Sequence, residues 1–322
     1  MKRIALLLAC CTMAVAAGCS GSSGEPVGEA PAAGLSGAAS GDGNGGPGDS
    51  TDDPGAAPVA AEDDLSGTPA PPPEDPAAPP PANGGTLRIM SYNIKVGLES
   101  SLASIATAIT TEQPDIVGLQ EVDELTNRSG KVRQTEELST LTNLGNRHFG
   151  ANFAFDGGHY GLAVLSRFPI ANPRVIRMDT HTQRGNGYEP RIALAVDVTA
   201  YGKAITFVTM HASLHEEERA GNAQRVLAAL GPQRLPTVIT GDMNEKRDNA
   251  IGKAFTVAGF VDAHYEKTTN PLAGWTAPAS FPTRRIDFVY KDKPFGPTKF
   301  SWVPGTKASD HRPVMVTFDT PK

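Results

Sequence analysis

The chain has 322 residues, with 29 Lys or Arg, 35 Asp or Glu and a formal net charge of −6. Its three cysteines all lie within the first 19 residues, which excludes disulfides, thiol catalysis and cysteine-ligated zinc from the rest of the chain. The negative charge is concentrated in residues 20–84, and residues 85–322 carry a net charge of +3. This mildly basic balance is compatible with a phosphate-bearing substrate, but it is far from a dedicated nucleic-acid-binding composition.

The first residues predict an export signal. Two basic residues precede an apolar run over 4–17, which is too short to span a bilayer. The run ends in Val-Ala-Ala-Gly-Cys at 15–19, which resembles the lipobox of bacterial lipoproteins and implies a lipid on Cys19. An ordinary signal peptide, with Cys19 incidental, is the alternative. We predict a lipoprotein signal peptide over 1–19 and a protein anchored by lipid outside the cytoplasm of a bacterium, at the outer membrane if the cell has one.

A second segment, residues 20–84, consists mostly of Gly, Ala, Pro, Ser and acidic residues, with almost no large apolar side chain. Such a sequence cannot bury enough surface to offset its chain entropy, so we predict a disordered linker. A tether that holds a domain away from a membrane and a plain spacer fit this composition equally well. From 85 to 322 the composition is that of a single globular domain without a solenoid repeat.

Within this domain, short apolar runs alternate with polar segments of helical period. The first two strands are predicted at 86–92 and 116–119, with a helix between them that ends before Pro114. A second helix is predicted over 213–230, and a hairpin turn at 200–202. Further strands are predicted at 161–165, 192–198, 204–209, 237–240, 286–290, 300–303 and 313–318. Strands joined by both hairpins and helical crossovers favour a four-layered α/β sandwich, with two mixed sheets packed face to face and helices outside.

Polar side chains stand at or near the ends of several of these strands. They are Asn93, Glu121, His211, Asp242, Asn244, Asp287, Asp310 and His311. Taken singly, most have a plain structural interpretation as turn residues or solvated strand ends. Asp287 differs, because an acid inside an apolar strand needs a partner such as a histidine or an arginine. Gathered at one rim, the set would form a site for a hard divalent cation and a phosphoryl group.

Seven segments, taken in order, resemble the endonuclease/exonuclease/phosphatase superfamily. This group includes deoxyribonuclease I, apurinic endonucleases, neutral sphingomyelinases and inositol polyphosphate 5-phosphatases. The segments are Met-Ser-Tyr-Asn-Ile at 90–94, Leu-Gln-Glu-Val-Asp at 119–123, Gly-Leu-Ala-Val-Leu-Ser at 161–166, Met-His at 210–211, Gly-Asp-Met-Asn at 241–244, Arg-Ile-Asp-Phe at 285–288 and Ser-Asp-His-Arg-Pro at 309–313. The resemblance covers nearly all of 85–318 and implies a deoxyribonuclease I-like catalytic domain over 85–322.

The resemblance implies a metal site and a phosphate site. Glu121 would be the principal ligand of Mg²⁺ or Mn²⁺, with Asn93 close by, contacting both metal and substrate, and Asp310 contributing. Oxygen ligands without cysteine suit these ions better than zinc. Arg128 resembles part of an extended glutamate motif and would clamp a phosphate; a solvent-facing loop arginine is the alternative.

The resemblance also implies catalytic roles. Asp242 would orient or deprotonate the attacking water, and Asn244 would contact the phosphate. His311, oriented by Asp287, would hydrogen-bond the scissile phosphate, act as general base, or do both. His211 would be a second imidazole across the site. Charge on the phosphoryl oxygens would be stabilised by metal and imidazolium during in-line attack.

The substrate is less determined by the sequence. The tryptophan-bearing strand of 5-phosphatases is replaced by Val-Ile-Thr at 238–240, and no aromatic cluster suggests a membrane-inserting loop. Basic residues such as Lys246 and Arg247 slightly favour a nuclease. We predict a monomeric, metal-dependent phosphodiesterase that is nuclease-like and acts on nucleic acid. The alternatives are a sphingomyelinase-like headgroup phosphodiesterase, a small-phosphoester phosphatase, and a non-enzymatic binding module on the same fold.

Overall fold

The computed structural model of the chain describes residues 85–178, 189–270 and 273–322. They belong to the larger of two compact units, which spans 72–322. The predicted signal peptide, Cys19 and the linker over 20–84 lie outside the described residues. Within the described ranges, no helix is long and apolar enough to cross a membrane.

Strands and helices alternate along the described chain. The strands are β1 (Thr86–Asn93), β2 (Ile116–Glu124), β3 (Asn146–Phe155), β4 (Gly158–Ser166), β5 (Ile170–Arg177), β6 (Ile192–Ala200), β7 (Lys203–His211), β8 (Thr237–Asp242), β9 (Phe260–Asp262), β10 (Asp287–Asp292), β11 (Thr298–Trp302) and β12 (Val314–Asp319). The helices are α1 (Leu102–Glu112), α2 (Gln134–Thr142), α3 (Glu216–Leu230), α4 (Ala250–Val257) and α5 (Ala263–Lys267).

The strands form two six-stranded mixed sheets, which confirms the predicted fold class. The first sheet has the order β11-β12-β1-β2-β4-β3, and the second has the order β5-β6-β7-β8-β10-β9. Each sheet contains one parallel pair at its centre, β1 with β2 and β7 with β8. Parallel neighbours need a crossover connection, and α1 and α3 supply it. The parallel pairs therefore bring the ends of two strands to the same rim in each sheet.

Apolar packing separates the structure into layers. Between the sheets, Ile89 of the first sheet belongs to the same core as Phe207 of the second. A second core joins the outer face of the first sheet to α1 and α2 through residues such as Ile105. A third joins the second sheet to α3 and α4 through residues such as Val226. The helices α1 to α4 thus lie outside the paired sheets, as predicted, whereas Ala263 of the short α5 packs in the core between the sheets.

The two sheets approach each other closely at Gly118 of β2. A Cβ atom at this position would lie 2.3 Å from Thr240 Oγ1 and 2.8 Å from Thr209 Oγ1 in the facing sheet. Beside it, the buried Gln120 crosses between the sheets, and its Nε2 donates a hydrogen bond to Thr209 Oγ1 at 2.7 Å. Only glycine fits this position, and the contact fixes the separation of the sheets just below the rim where the polar residues lie.

Some elements differ from the sequence patterns. Among the elements without a predicted counterpart are β3 and the edge strand β5, and the second predicted helix begins at Glu216 rather than at 213. The hydroxyl of Ser213 accepts a hydrogen bond from the backbone N–H of His215 at 3.1 Å, which holds the chain in a turn before the helix starts. The hairpin predicted at 200–202 is confirmed, because Tyr201 and Gly202 join β6 to β7 with φ values of +50° and +75°.

Candidate active site

Strand register places three of the predicted residues in one row at the rim of the second sheet. The parallel pairing of β7 with β8 sets His211 beside Asp242. The antiparallel pairing of β8 with β10 sets Asp242 beside Asp287. Directly paired residues on neighbouring strands share a face and have Cβ atoms about 5 Å apart. Backbone hydrogen bonding therefore fixes the order and spacing of this row.

The first sheet contributes Asn93 and Glu121 from the opposite side. Asn93 is fully buried, and its Nδ2 donates to Glu121 Oε1 at 2.8 Å and to Asp242 Oδ2 at 3.2 Å. Glu121 has a φ of +56° and lies where the pairing of β2 with β4 shifts register between Leu119 and Val122. Bulges of this kind re-aim side chains near functional sites, and the left-handed backbone is costly for glutamate. The irregularity brings the Glu121 carboxylate to Asn93.

His311 reaches the row from the loop before β12. Its Nδ1 lies 2.9 Å from Asp287 Oδ2, and its Nε2 lies 3.8 Å from Asp242 Oδ2. Asp287 is fully buried, and its Oδ1 has no hydrogen-bond partner among the described residues. The imidazole is therefore the partner that an acid in this strand requires. Burial disfavours a charge on His311, but the carboxylates of Asp287 and Asp242 outweigh it and raise the pKa of His311 to about 10.

Asp242 lies at the centre of the cluster. Besides Asn93 and His311, its Oδ2 faces His211 Nε2 at 3.6 Å, while its Oδ1 accepts a hydrogen bond from the backbone N–H of Asn244 at 2.8 Å. Burial, followed by the nearby charge of Asp287, raises the pKa of Asp242 to about 7. A carboxyl group that exchanges its proton near neutral pH is suited to general acid–base chemistry.

The sequence patterns did not identify Arg191 as a site residue. Its side chain is buried, with Nη1 at 3.0 Å from His211 Nδ1 and at 2.8 Å from Glu189 Oε1. A guanidinium only donates hydrogen bonds, so His211 Nδ1 accepts and the ring proton lies on Nε2, facing Asp242. Burial and the charge of Arg191 hold the pKa of His211 well below its usual range. His211 is thus a neutral ring with a fixed tautomer.

Topology explains why Arg191 was missed. The polar residues singled out in the sequence mostly follow the carboxyl ends of apolar strands, whereas Arg191 precedes β6. Because β6 runs antiparallel to β7, with Ala193 paired to Met210, the residue before β6 lies beside His211. A search that includes residues at the amino ends of strands, such as Asp287 at the start of β10, could have found it.

We expect Arg191→Lys to lower kcat for the phosphodiester hydrolysis that the sequence predicts by about 10²-fold, because an ammonium cannot reproduce the planar contact that orients His211. The measurement is steady-state hydrolysis of an aryl phosphodiester, with a thermal melt to monitor the fold. Arg174→Lys is the matched control, since Arg174 pairs with Asp197 at 2.8 Å on an exposed edge. An unchanged kcat in the Arg191 variant would contradict the orienting role.

Comparisons with known proteins identify the family of the chain. Residues 90–311, more than half of the chain, match the Endonuclease/Exonuclease/phosphatase family. The chain belongs to this family. YbhP, an uncharacterized protein of Escherichia coli (strain K12), is 28% identical over 250 residues, which cover 71% of this chain and 94% of YbhP.

Solved structures share the fold. An endonuclease/exonuclease/phosphatase from Beutenbergia cavernae DSM 12333 superposes with a TM-score of 0.62 at 23% identity, covering 72% of this chain and 71% of its own. A mannosyl-6-phosphatase from Bacteroides thetaiotaomicron VPI-5482 superposes with a TM-score of 0.57 at 19% identity, covering 71% of this chain and 98% of its own. The family's fold, two packed mixed sheets, is the one described above.

Two other residues predicted from the family pattern, Asn244 and Asp310, have defined neighbours in the structure. Asn244, with a φ of +50°, donates through Nδ2 to the carbonyl of Ala212 at 3.0 Å, which ties it to the residue after His211. Asp310, next to His311 in sequence, has its Oδ2 at 3.1 Å from Lys95 Nζ. Asn244 therefore extends the rim on the side of the second sheet, and the Asp310 carboxylate has a cationic neighbour.

Arg128 is paired with a buried acid, so it is not simply a solvent-facing loop arginine. Its guanidinium donates two hydrogen bonds, of 2.7 and 2.9 Å, to the buried carboxylate of Asp123, and it lies 4.4 Å from the ring centre of Phe155. This arrangement anchors the loop after β2. The phosphate-clamping role stays a prediction, and any such contact would use N–H groups that Asp123 leaves free.

The chemistry of the donors fits a hard divalent cation. Glu121 and Asp310 offer carboxylate oxygens and Asn93 an amide oxygen, the ligand types that Mg²⁺ and Mn²⁺ prefer. The closely spaced group of Asp242, Asp287 and His311, whose ligand atoms lie within 4.8 Å of one another, is an alternative set. The first set is the one that the family resemblance implies. In the structure, Asn93 Oδ1 accepts a hydrogen bond from the backbone N–H of Lys95 at 3.1 Å and Asp310 Oδ2 pairs with Lys95 Nζ at 3.1 Å, whereas in the second set His311 Nδ1 is engaged by Asp287.

Proposed function

We propose that this protein is a divalent-metal-dependent phosphodiester hydrolase of nuclease-like specificity. The observation that carries the proposal is the convergence on Asp242 Oδ2 of one amide and two imidazoles, at 3.2, 3.6 and 3.8 Å. A carboxyl group with raised proton affinity, facing neutral and cationic donors, can accept a proton from water while the donors stabilise phosphoryl oxygens. Family membership supports phosphoester hydrolysis as the reaction class.

In this mechanism each side chain has a separate task. Asp242 orients the attacking water and takes its proton. His311, held as an imidazolium by Asp287, donates a hydrogen bond to a phosphoryl oxygen as negative charge increases there. His211 donates a second hydrogen bond, from its Nε2, on the opposite side of the phosphoryl group. A cation bound by Glu121, Asn93 and Asp310 would supply Lewis-acid stabilisation of the phosphoryl group.

The location of the enzyme is part of the proposal. The lipobox at 15–19, followed by the acidic linker over 20–84, supports a domain tethered by lipid outside the cytoplasm. Nucleic acid in that compartment would be extracellular or periplasmic, and a monomer is sufficient for the site, since each residue named above comes from one chain.

A phosphomonoesterase is the second candidate. It is favoured by the structural similarity to the mannosyl-6-phosphatase, which acts on a small phosphorylated sugar according to its name. At 19% identity this similarity concerns the fold, so the two activities are separated by experiment rather than by comparison.

The test is plasmid nicking by the full chain with Mg²⁺ or Mn²⁺, beside hydrolysis of an aryl phosphodiester, an aryl phosphomonoester and sphingomyelin liposomes. We expect nicking and diester cleavage that stop with EDTA and return with added metal. Cleavage of the monoester alone would indicate a phosphatase instead of the proposed enzyme. Cleavage of sphingomyelin liposomes alone would indicate a headgroup phosphodiesterase. No turnover of any substrate would indicate a binding module.

A further inference from the structure

Resting on the proposed function, we infer that a basic pocket beside Asn244 binds a second phosphate group of the substrate. The pocket has a volume of about 390 Å³. Its walls include Arg219 of α3, Asn244 and Lys246 after β8, and Arg284 before β10. The chemistry of the ligand is a phosphate monoester or diester next to the scissile bond, which a nucleic acid backbone supplies.

The pocket shares part of its wall with the segments that carry the catalytic row. Asn244 lines it and is also the residue whose N–H donates to Asp242 Oδ1 at 2.8 Å. Ile286 lines it and immediately precedes Asp287, and its carbonyl accepts a hydrogen bond from the N–H of Met243 at 2.8 Å. The strands that position the two catalytic carboxylates therefore also form one side of the pocket.

The pocket carries an excess of positive charge. The side chains of Lys246 and Arg284 form no ion pair within the part of the chain that the structure describes. Arg219 donates from Nε and Nη2 to the backbone carbonyls of Ser213 and Leu214, at 2.9 and 2.8 Å, which position the guanidinium. The nearby carboxylate of Glu245 offsets part of its charge, and the charges of Lys246 and Arg284 remain in excess. Three cations that line one concave surface repel one another, and an anion between them relieves that repulsion.

The carboxylate among the lining residues does not cancel this charge by direct pairing. Glu245 is buried, and its Oε1 accepts a hydrogen bond from the backbone N–H of Ile251 at 2.5 Å, at the amino end of α4. Its orientation is therefore explained by the helix terminus, where a negative group is favourable. The exposed ends of Lys246 and Arg284 remain available to a ligand.

A second phosphate subsite predicts a preference that can be measured with two matched probes. Thymidine 5′-(p-nitrophenyl phosphate) carries only the scissile phosphodiester. Its 3′-phosphorylated counterpart has the same leaving group and the same scissile bond, and it carries one further phosphate on the 3′-hydroxyl of the sugar. We expect the wild-type full chain to show a kcat/KM about tenfold higher for the second probe, mainly through KM, because hydrogen bonds to charged groups contribute this order of binding energy.

The decisive variant is Lys246→Gln/Arg284→Gln, assayed with both probes. We expect it to lose the preference while its kcat/KM for the probe with one phosphate stays within about twofold of wild type. The matched control is Arg225→Gln/Lys253→Gln, which removes the same charge from exposed positions on α3 and α4 and should keep the preference. Plasmid nicking by the same proteins identifies the source of the phosphate. A nicking defect in the first variant assigns the subsite to the nucleic acid backbone, and normal nicking assigns it to small phosphorylated substrates.

The outcomes separate this inference from the proposed function. Equal turnover of both probes by the wild type, or an equal loss in the control variant, would overturn the second subsite and leave the phosphodiesterase in place. If neither probe is cleaved with Mg²⁺ or Mn²⁺, the proposed function fails and the inference fails with it.

Discussion

Replacing His311 with alanine is expected to lower kcat for phosphodiester hydrolysis by about 10³-fold or more. The ring joins two buried carboxylates, with Nδ1 at 2.9 Å from Asp287 and Nε2 at 3.8 Å from Asp242. It is the group that the field of Asp287 keeps protonated. Removing it takes the positive charge away from the phosphoryl oxygens at the moment when their negative charge increases. The measurement is kcat with saturating metal and an aryl phosphodiester.

The structure supplies controls for this variant. His159→Ala removes an exposed histidine from β4 and should leave kcat unchanged. Asp287→Asn keeps the side-chain shape but removes the charge that holds the proton on His311, so it should reproduce the defect in kcat. A His311 variant that folds, as judged by its thermal melt, and retains turnover within threefold of wild type would contradict the assigned role.

Much of the candidate site could be predicted because sheets align strand ends. Asn93, His211 and Asp242 each close an apolar strand, and the parallel pairs β1–β2 and β7–β8 bring those ends to a common rim. The partner of Asp287 was also predictable, since a buried carboxylate in an apolar segment needs a compensating group. In both cases a short stretch of sequence, a polar residue next to an apolar strand, is enough to predict the geometry.

Other features depend on contacts distant in sequence. The left-handed backbone of Glu121 comes from a register shift against β4, and no local pattern marks it. Arg191 acts on the site only because β6 is antiparallel to β7. The strand β5 contains Pro173 and is mostly exposed at a sheet edge, where strands lack a strong apolar signal. Pairing partners, rather than propensity, decide these features.

Strand pairing also sets Asp242 beside the charged Asp287 and the neutral His211. The substitution Asp242→Asn tests the role of the Asp242 carboxylate in two ways. We expect kcat to fall by about 10³-fold, because the amide cannot accept the proton of the attacking water. We also expect the metal-free variant to be more stable than the wild type at pH 8, by roughly 1 kcal/mol or about 2–4 °C in Tm. Loss of activity with a gain of stability distinguishes a functional carboxylate from a structural one.

The sign of the stability change follows from proton linkage. Burial and Asp287 raise the pKa of Asp242 to about 7 in the folded protein, whereas an unfolded aspartate has a pKa of about 3.9. Between these values the folded state binds more protons, so the contribution of this group to stability is present below about pH 4 and is lost as the pH rises through 7. The asparagine variant lacks this loss, and its advantage over the wild type should therefore grow from pH 5 to pH 8. Chemical unfolding in EDTA at pH 5 and pH 8 measures the difference in free energy of unfolding between the two proteins. A variant that is less stable than the wild type at pH 8 would contradict this prediction. It would show that the fold requires the charge of the Asp242 carboxylate.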